Sequence, residues 1–404
     1  MTSIRTVDSI EALRALARRR LPRPVFDFFD GAADEEVTLR RNRQDLATTA
    51  LAPRILRDVS VRDLRTAVLG SEVDLPLIIG PTGLAALGWP RADAALARAA
   101  AAFNIPFVIS TSSSVRLEDI AEAAPGARLW FQVYVYRDRE LVRSLIARAR
   151  ACGVEALVLT VDTPVLGWRR RDHRNGFTVP LKPGVGLAIE LARHPGWSLQ
   201  IARHGVPRMQ NFVEAGKGSS VASLAHLMTR NMDASVTWDD LRWLRDQWDG
   251  PLVIKGILSA EDAEKAVAAG VQGVLVSNHG GRQLDGAPST ISVLGEVAAA
   301  VGGRAEVYMD GGVRQGADMA KVRALGGAAA VVGRATLYGV AAGGEAGARQ
   351  ALSILRTEYD RCLALLGCAA TRDLDASYVR RRIHPEPDYT DPTLSSRDVL
   401  ALWR

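Results

Sequence analysis

Eight short apolar runs, each bounded by Gly, Pro or polar residues, punctuate the chain: LPLIIGPTG (75–83), PFVISTS (106–112), LWFQVYVY (129–136), ALVLTVD (156–162), PLVIKGI (251–257), GVLVSNH (273–279), EVYMDGG (306–312) and AAVVGRA (329–335). They are apolar throughout rather than at alternate positions, which predicts strands of a parallel sheet covered on both faces. Between them, RADAALARAAAAF, VRLEDIAEAA, RELVRSLIARARACG, SAEDAEKAVAAG and GADMAKVRALGG carry apolar residues at helical spacing, several opening on Ser or Asp and closing on Gly. Eight such βα units predict an α/β fold of the TIM (β/α)8 barrel type, preceded by helices at roughly 7–32. A doubly wound open sheet is the alternative, but it needs a reversal of strand order and usually carries fewer units.

One connection is out of proportion. About seventy residues separate the fourth strand from the helix pattern TWDDLRWLRDQW (237–248), far beyond an ordinary βα loop. We read 1–404 as a single barrel domain, with 177–235 as a long insertion after the fourth strand. Within it, GVGLAIELARHPGWSLQIARHGVPRMQNF mixes Leu, Ile, Trp and Phe with Arg and His. Such a basic amphipathic stretch is read either as a helical cap over the barrel mouth or as a segment lying on a membrane surface.

With 48% hydrophobic and 24% charged residues, the chain can bury a large core. Cys152, Cys362 and Cys368 lack CxxC or metal-ligand spacing, so neither a disulfide framework nor a metal site is expected, and a reducing cytoplasm fits. No secretory signal opens the chain, and the longest uncharged stretch is too short and too interrupted to span a bilayer. The net charge of +6 could attract nucleic acid, anionic lipid or an anionic ligand. Because the arginines are dispersed and no aromatic-studded basic motif appears, no nucleic-acid partner is expected.

A barrel places its chemistry at the carboxyl ends of its strands. Nearly every strand here ends in a polar or glycine-rich group: Thr82; Ser110; Gln132 with Tyr134; Thr160 with Asp162; Lys255; Ser277 with His279; Asp310 with Gly311 and Gly312; and Gly333 with Arg334. One or two would pass as caps, whereas eight on one rim point to a site. The loops after strands seven and eight, DGGVR (310–314) and GR (333–334), suit a phosphate, since their glycines let backbone N–H groups approach and Arg314 and Arg334 match its geometry. The same glycines would also serve as turns before helices. Lys255 is either a surface residue of a misread strand or a fixed cation beside a ligand. Asp162 either caps a turn or stabilises an imidazolium. His279 and Arg282 together offer a base and an anion clamp in one loop, which favours proton abstraction next to a bound carboxylate.

The motifs GPTG, FQVYVY, LTVDTP, VIKG, SNHGGRQLDG and DGGVRQGADMAKVRALGG…VVGRATLYG, in this order along a similarity that runs from about residue 7 to 375, closely resemble those of the FMN-dependent 2-hydroxy-acid dehydrogenases and oxidases. The resemblance implies FMN as cofactor and oxidation of an (S)-2-hydroxy acid to the 2-oxo acid, by hydride transfer or by a carbanion route. It implies His279 as general base, Asp162 supporting its protonated form, and Lys255 beside the flavin N1 and C2 carbonyl, stabilising the reduced anionic flavin. Arg282, Arg169 and Tyr134 would hold the substrate. Pro81, Thr82, Gly83, Ser110, Gln132, Thr160 and Ser277 would line the flavin, Gly311, Gly312, Arg314, Gly333 and Arg334 would take its phosphate, and Asp310 and Val313 would join the cofactor site. One departure stands out: the usual Tyr-Asp-Tyr reads FDF here, so Phe28 replaces a tyrosine that binds the carboxylate. Ser112 is small where glycolate oxidases carry tryptophan, which implies an aromatic, mandelate-like substrate. Gly83 and the long insertion favour a quinone or another carrier as electron acceptor; the alternatives are a soluble oxidase producing hydrogen peroxide and a flavin-free isomerase or synthase on the same barrel. The family habit implies a homotetramer, and the insertion implies peripheral contact with the inner face of the cytoplasmic membrane.

Overall fold

The computed structural model describes residues 4–176, 185–213 and 231–381. The eight apolar runs form strands β1 (Leu77–Ile79), β2 (Phe107–Ile109), β3 (Leu129–Val133), β4 (Ala156–Thr160), β5 (Leu252–Ile257), β6 (Gly273–Val276), β7 (Glu306–Met309) and β8 (Ala329–Val332). Neighbours in sequence are neighbours in the sheet, all parallel, and the cylinder closes where Ala330 to Val332 of β8 pair with Leu77 to Ile79 of β1. The open-sheet alternative is thereby excluded.

Alternation divides the apolar residues into two layers. Ile78, Val108, Trp130, Val158, Val253, Leu275, Tyr308 and Val331 make a cluster inside the barrel, whereas Leu77, Ile79, Phe131, Leu157, Leu159, Ile254, Val274 and Val332 belong to the outer core under the helices. Both faces of each strand are thus apolar, which is why the runs show no polar alternation. The rings of Trp130 and Tyr308 meet at 5.8 Å, and Gly273 makes room for them: a Cβ there would lie 2.9 Å from the Tyr308 ring. A hairpin of Thr66–Val68 and Ser71–Val73 adds Val68 and Val73 to this inner cluster.

Ahead of the barrel lie helices α1 (Ile10–Arg20), α2 (Arg23–Asp30) and α3 (Val37–Thr48). The first two occupy the region read as helical. The third was not anticipated, for its buried face is Thr38, Asn42 and Leu46, a polar stripe that yields no apolar period. Its first turn is held from far away: Asp285, in the loop after β6, accepts the backbone N–H groups of Glu35, Val37 and Thr38 at 3.1, 3.2 and 2.8 Å.

The described part of the insertion contains helices Val185–Arg193 and Pro195–His204. They are fastened to the barrel rim by the Trp197 indole, which donates to Leu87 O at 2.7 Å, and by Glu190, which accepts Arg23 N–H at 2.8 Å. Residues 183–184 of the expected membrane stretch, like 177–182 and 214–230 of the insertion, lie outside the described residues. The last long helical stretch, Arg334–Leu366, is broken at Gly343–Gly344, where the Trp89 ring occupies the space a Gly344 side chain would need.

Candidate active site at the carboxyl rim

The alternation that fills the barrel also builds its mouth. Two residues beyond the inward apolar layer come Ser110, Gln132, Thr160, Lys255, Ser277, Asp310 and Gly333, so a period of two places one polar or glycine position per strand at the open end. Lys255 lies within β5 rather than at its end, which settles against a surface lysine: it is 4% exposed. Asp162 stands two residues past the end of β4.

These groups form a chain of charges. His279 Nδ1 lies 2.8 Å from Asp162 Oδ1; the other carboxylate oxygen is 3.5 Å from Lys255 Nζ, which is 3.6 Å from Asp310 Oδ2. Burial opposes the Asp162 charge, yet the His279 imidazole and the Lys255 ammonium hold its carboxyl well below the usual range. Burial also pulls at Lys255, but Asp162 and Asp310 outweigh it and keep the ammonium charged. For His279 burial prevails over the attraction of Asp162 and lowers the imidazole pKa below its ordinary value. His279 has φ 57°, a left-handed conformation unusual for a residue with a side chain, and its N–H donates to Ser277 Oγ at 3.1 Å.

Three guanidinium groups gather at the same rim. Arg282 donates to the carbonyls of Phe28 and Gly31 at 2.7 and 3.0 Å and lies 5.2 Å from the centroid of the Phe28 ring. Phe28 therefore supports Arg282 through its backbone and ring face instead of offering a hydroxyl. Arg169 Nε is buried without a hydrogen-bond partner among the described residues. Arg334 donates to the carbonyls of Phe29, Gly280 and Gly31 at 3.0, 2.9 and 2.6 Å. None of the three forms a salt bridge with a carboxylate among the described residues, and burial lowers the pKa of each. Asp172 offsets Arg169 and Arg282 only through space, as Asp30 and Glu36 do Arg334, and buried cations with no direct carboxylate contact favour binding of an anion. Tyr134, whose phenol is pushed up by burial, sits among Asp162, Lys255 and Arg169.

The mouth fits a flavin. Thr82 Oγ1, Gln132 Nε2, Thr160 Oγ1 and Asp310 Oδ1 are buried and unpartnered among the described residues. A bare buried polar atom costs about 1–3 kcal/mol, so donors and acceptors converging from β1, β3, β4 and β7 suit a flat heterocycle carrying both. Pro81, Gly83, Ser110 and Ser277 complete that rim. In the loop after β7, Gly311 and Gly312 have φ 91° and 92° and abut α3 and its neighbours: a Cβ would come within 2.8 Å of Thr290 Oγ1 or 2.9 Å of Asn42 O. Their glycine character is thus required by packing as well. Val313 is buried, and Arg314 donates to the Val313 carbonyl at 2.7 Å with its guanidinium over the Tyr338 ring. Arg334 is less free than the sequence suggested, since three of its five N–H groups already meet carbonyls.

Several structural members of the site were missed. The Asn42 and Asn278 amides exchange hydrogen bonds at 2.9 and 2.8 Å, and Thr290 Oγ1 donates to Asp310 O at 2.5 Å, tying α3 to the loops after β6 and β7. Asn278, Gln283 and Asp285 all stand in SNHGGRQLDG, but their partners are too distant in sequence for spacing to expose them.

A rim of this kind belongs to a barrel enzyme that handles an anionic substrate beside a larger phosphorylated ligand. The model of the FMN-dependent dehydrogenases matches residues 17–381, and the chain belongs to that family. It is an FMN-dependent oxidoreductase. The chain is 44% identical to (S)-mandelate dehydrogenase of Pseudomonas putida, over 92% of its own length and 93% of the relative's. It is 43% identical to L-lactate dehydrogenase of Caulobacter vibrioides, over 93% and 98%. The crystal structure of the monotopic membrane protein (S)-mandelate dehydrogenase superposes with a TM-score of 0.90, covering 93% of this chain and all of that one.

Proposed function

We propose that the protein oxidises an aromatic (S)-2-hydroxy acid of the mandelate type to the 2-oxo acid and passes the electrons to a quinone. The observation that carries this reading is the carboxylate-backed imidazole of His279 beside guanidinium groups that make no direct salt bridge to a carboxylate among the described residues. With Nδ1–H donated to Asp162, His279 Nε2 carries the lone pair and takes a proton from the α-hydroxy-acid centre as C–OH becomes C=O. Asp162 stabilises the resulting imidazolium. Arg169 and Arg282 hold the substrate carboxylate, and Tyr134 hydrogen-bonds the substrate. Bound FMN, lined by the rim residues and Lys255 with its phosphate on the loops after β7 and β8, supplies the two-electron acceptor. The small Ser112 supports a bulky substrate side chain, and Gly83 abuts it so closely that a Cβ there would stand 3.0 Å from that of Ser112.

Anaerobic mixing of the yellow holoprotein with a panel of 2-hydroxy acids tests the reading. Mandelate is expected to bleach the flavin absorbance fastest, with reoxidation rapid by a quinone analogue and slow by air. Faster bleaching by glycolate would remove the aromatic assignment. Stoichiometric peroxide would make the protein an oxidase, and no bleaching by any 2-hydroxy acid would end the reading altogether.

The insertion, within one barrel domain, serves as a membrane foot. Its described helices expose Ile189 and Leu199 alongside Arg193 and Arg203, and the loop after them exposes Val206, a pattern suited to an anionic bilayer surface. No helix of the described residues is long and apolar enough to cross a membrane. Flotation with phosphatidylglycerol vesicles is expected for the native chain. Ile189→Asp with Leu199→Asp should weaken it by at least about tenfold, because each apolar side chain contributes about 1.5–3 kcal/mol on burial. Equal flotation of both proteins, or none by the native chain, would remove the proposal.

A further inference from the structure

We infer that Gln283 is a positioning residue that locks the loop bearing Asp162 and Arg169 to the loop bearing His279 and Arg282. The inference rests on the reading of His279 as the base, and it adds a residue that never touches the substrate. Gln283 follows Arg282 directly and is 8% exposed. Its Nε2 donates to the carbonyls of Asp162 and Val165 at 3.0 and 2.9 Å, and its Oε1 accepts the N–H of Gly167 at 3.2 Å. All three bonds reach the backbone of one six-residue stretch. A second observation points the same way. The two loops touch so closely at Gly167 that a Cβ there would lie 2.3 Å from Arg282 O and 2.9 Å from Gln283 Cα.

The stretch Asp162–Gly167 starts with the carboxylate that orients the base and leads, two residues later, to Arg169. The opposing loop carries the imidazole and the second guanidinium. One amide therefore fixes the span across which His279 meets Asp162 and the separation of Arg169 from Arg282. Without it, the 2.8 Å contact between His279 and Asp162 is the hydrogen bond left directly between the two loops among the described residues, and their tips reach solvent, where Val165, Leu166 and Leu284 are exposed. A displacement of about 1 Å at a reacting centre can cost about a hundredfold in rate.

Gln283→Leu removes all three bonds at similar volume. The holoenzyme is expected to keep its flavin while kcat falls at least about tenfold and KM rises several-fold. A role in general stability would leave those constants alone, and it would add its cost independently of Asp162. If Gln283 acts through Asp162, its replacement in an Asp162→Asn background should lower kcat by no more than about twofold further. Leu284→Ala, at the exposed neighbour, should match the native enzyme. Equal losses in both backgrounds, or unchanged kcat and KM in the flavin-loaded single variant, would overturn the inference. Should Gln283→Leu not fold, Gln283→Glu keeps the acceptor for Gly167 and loses both donors; it is expected to lose kcat likewise, and native-like kcat would overturn the inference. Hydrogen exchange supplies a readout independent of the reaction: in the holoprotein, amides of 162–169 should exchange faster in either variant. Unchanged exchange would defeat the lock. Failure of the native protein to react with any 2-hydroxy acid would defeat only the assigned reaction.

Discussion

Replacing His279 by alanine is expected to lower kcat/KM for the 2-hydroxy acid by about 10²–10⁴-fold, the usual contribution of a positioned general base, while flavin still binds. The imidazole is the only titratable side chain in the loop after β6 that touches Asp162, and no other described base stands on that carboxylate. Its removal also leaves Asp162 with Lys255 as its remaining cation. The pH profile distinguishes loss of a base from loss of shape. A base must be neutral to act, and burial lowers the His279 pKa, so the native enzyme should stay active below the ordinary imidazole value of about 6.5 and lose kcat/KM only as the pH falls through the lowered value. In the alanine variant that acid limb should vanish, leaving a low, flat profile over the same window. Persistence of the limb would place the essential base elsewhere.

How much of this could be read from residues alone depended on how far apart the partners lie in the chain. The barrel was legible because a strand covered on both faces must be apolar along its whole length, and eight such runs have few other uses. The mouth was legible for the same reason: Gln132, Thr160, Lys255 and Asp310 interrupt apolar runs at the point where the period of two turns them inward. What stayed hidden was the support behind the reactive groups. Asp285 stands in SNHGGRQLDG a few residues from His279 and Arg282, yet it caps α3 across some 250 residues of chain. Asn42 lies on a helix whose buried stripe is polar, and Gln283 binds backbone rather than side chains, so neither carries a compositional mark. The guanidinium of Arg334 was assigned to a phosphate from its glycine-flanked position; its carbonyl partners from α2 and the His279 loop belong to segments that spacing does not connect.

Lys255→Met should have the other large effect, and it should act on stability and chemistry separately. The ammonium is buried between two carboxylates, 3.5 Å from Asp162 and 3.6 Å from Asp310. Deleting one partner of such a group strands the charges left behind, at a cost of about 3–5 kcal/mol, so the melting temperature should fall by several degrees. The Asp162 carboxyl also loses one of the two partners that hold its pKa down, which moves it toward protonation and weakens its support of His279. In addition, in the proposed oxidation a cation fixed in the mouth would stabilise negative charge developing on a bound flavin, and removal of one such preorganised group typically costs about 10²–10³-fold in rate. A second substitution separates the two effects. Asp310→Asn added to Lys255→Met removes a stranded carboxylate, and neutral replacement of both partners of a buried pair is often tolerated, so much of the lost melting temperature should return while flavin bleaching by the 2-hydroxy acid stays slow. If bleaching recovers together with the melting temperature, Lys255 serves only to neutralise the carboxylates, and its charge takes no part in the oxidation.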